Sequence, residues 1–468
     1  MSRYWLIGCL LVASQAWAKG LSPYLPLQIS PEIESQIEKV MALTPGAPLT
    51  KPYKAVDVMR RNKLIATRFP ELHRSVDAYL ARFKDTLALT HVSASISAGD
   101  DDENSPLPNQ RGIKRDSSYQ VSASGVAFIS PYAYVAGGAL YADGEDAMLY
   151  NTHVAFGYEY AQIEAGYREH WLSPMQDSAL LSSTNAEPSL SVTVSNATPI
   201  TDWGIRYELF YSKLEDTLGV SQQGELFSGE PNLLGFHLSV APVEAWTIGY
   251  SRTLKYAGAN NNLSVGDAFQ DLFSPSGEDK TPELYPQALA SDQKTAISSK
   301  INLPFAFPVS LYGEIAFDHA PEADGQEADD KALAFGVYFP MVTNNLSLRY
   351  EFTRLDELFY QSGFYTAGYT NEGLSLGHWA GDIFAPQELV QKTTHSINMN
   401  WKFASDQVVD ITFRSADSDM NSNTEQAFKE LTVRYSYATQ YGFWGIDFDV
   451  GEDRFGEQFK RVSAFYRW

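Results

Sequence analysis

The chain is 468 residues long, with a formal net charge of −22 at pH 7, one cysteine, 27 Tyr, 26 Phe and 9 Trp. So acidic a polypeptide argues against nucleic acid as a partner, and one cysteine cannot build a disulfide or a multi-thiolate metal site. Past its N-terminal stretch there is no run of ~18 apolar residues, so no helix is available to span a bilayer.

Residues 1–18, MSRYWLIGCLLVASQAWA, have the form of a secretory signal peptide. Arg3 is the charged start, Tyr4 to Ala13 the apolar middle, and Ala16-Trp17-Ala18 a small-x-small cleavage site. Leu6-Ile7-Gly8-Cys9 mimics a lipoprotein box, but the apolar run continues past it. Cleavage after Ala18 takes Cys9 away, so no thiol chemistry is expected. Residues 19–29 are Pro-rich and irregular. Ser30-Pro31 then reads as a helix start, with Ser30 as N-cap and Pro31 in the first turn. Ile33, Ile37, Val40 and Met41 recur at helical spacing, and Thr44-Pro45-Gly46 ends the run. A weaker helix is predicted over 54–68. A third starts at Pro70, with Leu72, Val76, Tyr79, Leu80 and Phe83 on one face. These helices, in a region spanning 19–85, are expected to pack together in the periplasm, beneath the wall that follows.

From Leu87 the hydrophobic period becomes two, in about eighteen strand-length segments whose joins alternate between short and long. Short joins include Ser130-Pro131, Ala241 to Glu244, Ala404 to Asp406 and Gln440 to Gly442. Long ones include 98–118, 171–187, 214–232, 255–291 and 356–392. The alternation reads as strict. It predicts an all-β transmembrane barrel over 86–468, with about 18 antiparallel strands, tight periplasmic turns and extended surface loops. In 346–353, Leu346, Leu348, Tyr350 and Phe352 alternate with Ser347, Arg349, Glu351 and Thr353. In 430–437, Leu431, Val433, Tyr435 and Tyr437 alternate with Glu430, Thr432, Arg434 and Ser436. The last strand puts Val462, Ala464, Tyr466 and Trp468 on one face. An arginine aimed at hydrocarbon costs ~2–4 kcal/mol at mid-membrane, so the charged faces must look into the lumen. A mean hydropathy of −0.26 suits a wall that shows lipid only every second residue.

The inward faces then carry Arg206, Glu208, Glu314, Asp318, Arg349, Glu351, Asp410, Arg414, Arg434, Asp447, Asp449 and Arg461. They could form a salt-bridge lattice that stiffens the wall and orders inserted loops, or a selectivity lining. Alternation alone leaves both open. His91 and His153 fall on the lumenal side near Ser93, Ser95 and Glu159. No nucleophile elbow or oxyanion donors accompany them, so no catalytic residue and no enzyme activity are expected. The run Asp100-Asp101-Asp102-Glu103 reads as a solvated loop. With no P-loop, dinucleotide fingerprint or zinc spacing, no cofactor and no metal are expected.

Two long joins stand out by content, Glu169 to Pro188 and Tyr360 to Leu389. Aromatic rings beside Asn, Asp and His suit sugars: flat apolar faces stack on pyranose rings while polar groups take the hydroxyls. The candidate polysaccharide-binding residues are His170, Trp171, Asp177, Asn185, Tyr360, Tyr365, Tyr369, His378, Trp379 and Asp382. The competing reading is that the same residues fold the loops inward and cap the lumen, since aromatic loop residues are more often packed than ligand-binding.

On these segments the chain resembles the Wzi family of outer-membrane capsule assembly proteins. The likeness rests on Trp171 to Pro188, above all Leu180-Leu181-Ser182-Ser183-Thr184-Asn185-Ala186. It rests also on Gly363 to Asp382, with Gly368-Tyr369-Thr370 and Leu376-Gly377-His378. Helices ahead of an ~18-stranded barrel fit it too. The chain departs from the family's pattern around Pro174, where Ser173 and Met175 replace glycines. The resemblance implies a non-enzymatic, lectin-like protein of the cell outer membrane that attaches or assembles capsular or extracellular polysaccharide. It implies a periplasmic helical bundle and loops that close the lumen. Expected partners are that polysaccharide, outer-membrane lipid and lipopolysaccharide, with a monomer as the expected state. The rival reading is an open porin for small solutes.

Overall fold

The computed structural model describes residues 20–27, 29–100, 105–222, 225–258, 265–273, 291–303, 305–318, 330–362, 364–383, 390–419, 426–453 and 455–468. The expected signal peptide with Cys9, and Asp101 to Glu103 of the acidic run, lie outside them.

Three helices come first: α1 (Pro31–Ala42), α2 (Ala55–Leu64) and α3 (Pro70–Leu80), the last running into a 3-10 turn, Ala81–Lys84. Prolines open α1 and α3, where a missing N–H is harmless. Ser30 does not cap α1 as expected; its hydroxyl donates to the Glu32 carboxylate instead. The stripe Ile33, Ile37, Val40 and Met41 meets Val58, Val76, Tyr79, Leu80 and Phe83 in one apolar core.

The wall has eighteen strands. These are β1 (Leu87–Asp100), β2 (Tyr119–Ser130), β3 (Ala133–Ala142), β4 (Thr152–Tyr158), β5 (Ala161–Tyr167), β6 (Leu190–Ser195), β7 (Arg206–Lys213), β8 (Asn232–Val243) and β9 (Trp246–Tyr256). There follow β10 (Ser291–Leu303), β11 (Val309–Asp318), β12 (Asp330–Thr343), β13 (Leu346–Leu355), β14 (Gln391–Ala404), β15 (Gln407–Asp419), β16 (Gln426–Thr439), β17 (Gly442–Glu452) and β18 (Gln458–Arg467). Each pairs antiparallel with the next, and β18 pairs with β1, so the sheet closes and leaves no strand edge in the membrane. The strict loop alternation is softened: the join 196–205, on the short-turn rim, is longer than 453–457 on the opposite rim. Faces alternate as expected. Leu348, Leu431 and Val462 are exposed while Glu351, Glu430 and Arg461 are buried. Exposed Tyr132, Trp203, Trp246, Trp401, Tyr441 and Trp444 girdle the short-turn rim, where rings prefer the membrane interface.

The helices do pack together, but inside the short-turn mouth and not merely beneath it. Ser436 donates to Glu32, and Asn302 Nδ2 donates to the carbonyls of Met41 and Thr44 at 2.9 and 3.0 Å. Arg206 reaches Asp57 of α2 at 2.9 Å, and Arg349 lies 3.8 Å from Glu38 of α1. Burial alone would raise the Asp57 carboxyl, but Arg206, Arg61 and Arg60 hold it well below the usual carboxylate range. The polar faces of these helices thus complete the charge pattern of the wall.

Candidate functional site

The loop between β5 and β6 and the loop between β13 and β14 both turn into the lumen. The first meets the N-terminal region there: Lys51 and Trp171 exchange backbone hydrogen bonds at 3.0 Å each way. At Ser173-Pro174-Met175, where glycines were the family pattern, the turn is closed by side chains. Met175 N donates to Ser173 Oγ at 3.0 Å, and the Met175 carbonyl accepts from Trp171 Nε1 at 3.0 Å and Lys51 Nζ at 3.2 Å.

Carboxylates of the wall then take backbone donors that the turning loop would leave unpaired. Glu351 accepts from Gln176 N at 3.0 Å and from Asp177 N at 2.8 Å; Glu314 accepts from Leu180 N at 3.1 Å. Arg414 Nε donates to Asp177 at 2.7 Å while its Nη1 holds Glu430 at 3.0 Å. The inward charges therefore form the lattice that orders inserted loops, the first of the two readings of that face.

The two loops lock against each other. Trp379 Nε1 donates to the second Asp177 oxygen at 2.9 Å. Tyr360 Oη donates to Leu180 O at 2.7 Å and accepts from His378 N at 2.8 Å. Asp382 accepts from Asn185 Nδ2 and, at 2.7 Å, from Ser375 N. Ser183 N donates to Leu376 O at 2.9 Å. Gly377 lies at the crossing, where a Cβ would fall onto Leu180 O and Tyr360 Oη. Tyr369 and Tyr365 tie the second loop to the β9 side, donating to Thr253 Oγ1 at 2.8 Å and Ala257 O at 2.9 Å. His170 stacks on Phe210 with ring centroids 3.8 Å apart and bonds Glu208 at 2.7 Å.

Electrostatics follow from this burial. His378 is lowered to about 4 because its charged form would be desolvated. Burial likewise raises the Asp382 carboxyl to about 6, despite the donors from Ser375 and Asn185. For Asp177 burial pulls the same way, yet Arg414 beside it wins and keeps the group below its ordinary value. Toward the long-loop rim, burial and the neighbouring Glu372, Glu145 and Glu215 push Glu187 up to about 7.

The structure brings the ten predicted residues into one inward plug, with Tyr365 and Tyr369 at its margin. Most are packed: Trp379 is 1 % exposed, and Tyr365, Tyr369, His378, Trp171, His170 and Asn185 are buried as well. Asp177, Tyr360 and Asp382 are half-buried. In this arrangement the buried rings stack on protein, not on an open face. Sequence reasoning missed a third partner, residues 105–117 of the first long loop. Arg111 N donates to Thr184 O at 2.9 Å, its guanidinium pairs with Glu169, and Asn109 Nδ2 donates to the Asp177 carbonyl. The signal was the turn-rich stretch Pro108-Asn109-Gln110-Arg111-Gly112, where Asn109 and Arg111 both have φ near 57°. Between plug and α1 remains a cavity of about 380 Å³, lined among others by Trp171, Arg349, Asp410, Arg414 and Arg434. His153 Nε2 bonds Tyr134 Oη at 3.1 Å, and neither His91 nor His153 bonds a serine among the described residues. Asp100, the described end of the acidic run, accepts from Lys460 N at 2.8 Å.

The family model of the capsule assembly protein Wzi matches residues 99–448. Among solved structures, the fold is similar to Wzi of Escherichia coli, described as an outer membrane protein involved in group 1 capsule assembly and a carbohydrate-binding β-barrel. That likeness has a TM-score of 0.68 at 12% identity and covers 96% of this chain and 99% of the other. OccK3 (OpdO) of Pseudomonas aeruginosa aligns with a TM-score of 0.48 at 9% identity, over 82% of this chain and 94% of that one. No curated protein sequence matches. The barrel is of the outer-membrane type, and its place is the outer membrane. With three quarters of its length inside the family model, this chain belongs to the Wzi family of capsule assembly proteins.

Proposed function

We propose that this protein holds capsular or extracellular polysaccharide at the cell surface as a non-enzymatic, lectin-like barrel. The observation that carries the reading is the interlocked plug, Asp177–Trp379 and Leu180–Tyr360–His378, pinned to Glu314, Glu351 and Arg414 of the wall. A lumen filled from both ends suits a surface anchor and disfavours an open porin. Outer-membrane barrels keep short turns in the periplasm and long loops outside, which puts the helices at the periplasmic mouth and the plug beneath the cell surface. Of the predicted residues, Asp177, Tyr360 and Asp382 retain surface for a sugar. The buried ones, Trp171, Tyr365, Tyr369, His378 and Trp379 among them, are scaffold that shapes the outer surface.

The test is binding of purified protein to the polysaccharide purified from the same cells, read by biolayer interferometry. Saturable binding that weakens in a protein shortened across 364–383 supports the reading. No binding at any concentration, together with large steady conductance in planar bilayers, would replace it with the porin.

A further inference from the structure

A fourth helix, α4 (Val265–Leu272), lies in the long connection between β9 and β10 and packs against the outside of the barrel. Ala268 and Leu272, with Phe269 beside them, cover Leu234, Leu254 and Tyr256, flanked by Leu209, Tyr211 and Phe236. These wall residues point outward, because their neighbours His237, Ser251 and Glu208 face the lumen, where His237 bonds Ser251 at 2.8 Å.

The wall changes character at this helix. Lower on the same face Ile297 is 49 % exposed, as a lipid-facing residue should be, yet Leu234 and Leu254 near the long-loop rim are 0 % exposed. Arg252 shares that outward face, is buried, and donates to Gln293. An arginine on the outer wall is disfavoured in hydrocarbon and tolerated near the interface, so the apolar band of the membrane ends at about this level. The opposite edge of the helix is mixed. Asp267 and Gln270 are exposed, and so are Val265 at 48 % and Phe273, just past the helix end, at 54 %. Phe273 stands edge-on to Phe236 at 5.1 Å, and Phe236 lies 6.4 Å from Tyr250, so an aromatic row runs unbroken from the lipid-facing wall to the helix end.

We propose that α4 is an interfacial helix, lying in the headgroup–acyl boundary of the leaflet at the long-loop rim, with Phe273 and Val265 in contact with lipid. Continuity with the lipid-facing wall selects this occupant: an amphipathic helix seated on the barrel at that level meets lipid on its free edge. The helix covers Leu234 and Leu254 beside Arg252 on the same outward face and fixes how deep the barrel rides on this side. The proposal rests on the barrel and is independent of carbohydrate binding.

Nitroxide spin labels test it. Phe273→Cys, Ile297→Cys as lipid control and Glu372→Cys as aqueous control are each made singly, so that each is the one thiol of the signal-cleaved protein, and reconstituted in phosphatidylethanolamine–phosphatidylglycerol vesicles. At Phe273→Cys collisions with oxygen should exceed those with a water-soluble nickel complex, as at Ile297→Cys and opposite to Glu372→Cys. Adding Leu272→Asp, which unseats the helix, should reverse the ratio. A nickel-dominated reading at Phe273→Cys beside a normal lipid control would overturn the proposal by placing the helix in water. A label reached by neither reagent would overturn it too, by showing protein on that edge.

Discussion

Replacing Trp379 by alanine removes one of the side chains that join the two plug loops. Its indole is 1 % exposed, donates to Asp177 at 2.9 Å and packs against Phe428 with centroids 5.8 Å apart. Truncating a buried Trp to Ala costs roughly 3–5 kcal/mol. Trp379 belongs to no strand ladder, so the loss falls on docking of the plug, against the first loop and against Phe428 of the wall. At about 1.4 kcal/mol per tenfold, the undocked population rises by roughly two to three and a half orders of magnitude. Trp379→Ala should therefore migrate as a folded, heat-modifiable barrel while protease cuts the second loop near residues 364–383, where it spares the parent. In planar bilayers the parent should be nearly silent and the variant should show frequent openings. A variant as silent and as protease-resistant as the parent would refute the claim that this contact keeps the lumen shut.

Three further outcomes follow from the same contacts. Gly377→Ala should release the plug more fully than Trp379→Ala, since its Cβ would land on Leu180 O and Tyr360 Oη; faster hydrogen exchange at 178–185 and 374–382 would register it. Tyr360→Phe leaves the Leu180 carbonyl and the His378 N–H without their partner, a loss of about 1–3 kcal/mol of docking, readable in the same exchange experiment. The third outcome concerns pH. His378 has its value lowered to about 4, so the docked loop binds fewer protons; that stabilisation is whole above 6.5 and is lost as pH falls toward 4. Asp382 is raised to about 6, so its contribution is whole below 3.8 and is lost as pH rises through 6. Asp177, Arg414 and Lys392 are the charged neighbours of His378. Between pH 7 and 5 the two groups pull in opposite directions by about 1–2 kcal/mol each. Opening frequency should become less acid-sensitive in His378→Gln and more so in Asp382→Asn. Equal pH slopes in both variants and the parent would refute the assignment.

The wall was legible because the contrast between lipid and lumen is written locally, at a period of two. In 346–353 and 430–437 every inward and outward assignment holds. The residues of the plug were legible as types, since Trp379, Asp177, Tyr360 and His378 stand out in loops that should be small and polar. Their mutual pairing was not: Trp379 and Asp177 lie 202 positions apart, and nothing local in either loop names the other. The helices were legible from their apolar stripes, while the sequence offers no partner for Glu32, Glu38 and Asp57, which are buried. A barrel mouth lined with Arg206, Arg349 and Ser436 gives those acids partners that only three dimensions supply. Ser30 shows the limit of a capping rule: a nearby carboxylate took the hydroxyl that the helix end would have used.

The most direct measurement is the partition of polysaccharide between cell surface and culture medium in a strain lacking this protein. Synthesis should continue at the parental level while the polymer is shed into the medium, and a plasmid copy should restore retention where a copy carrying Trp379→Ala restores less. Polymer that remains on cells lacking the protein, in parental amount, would contradict the account.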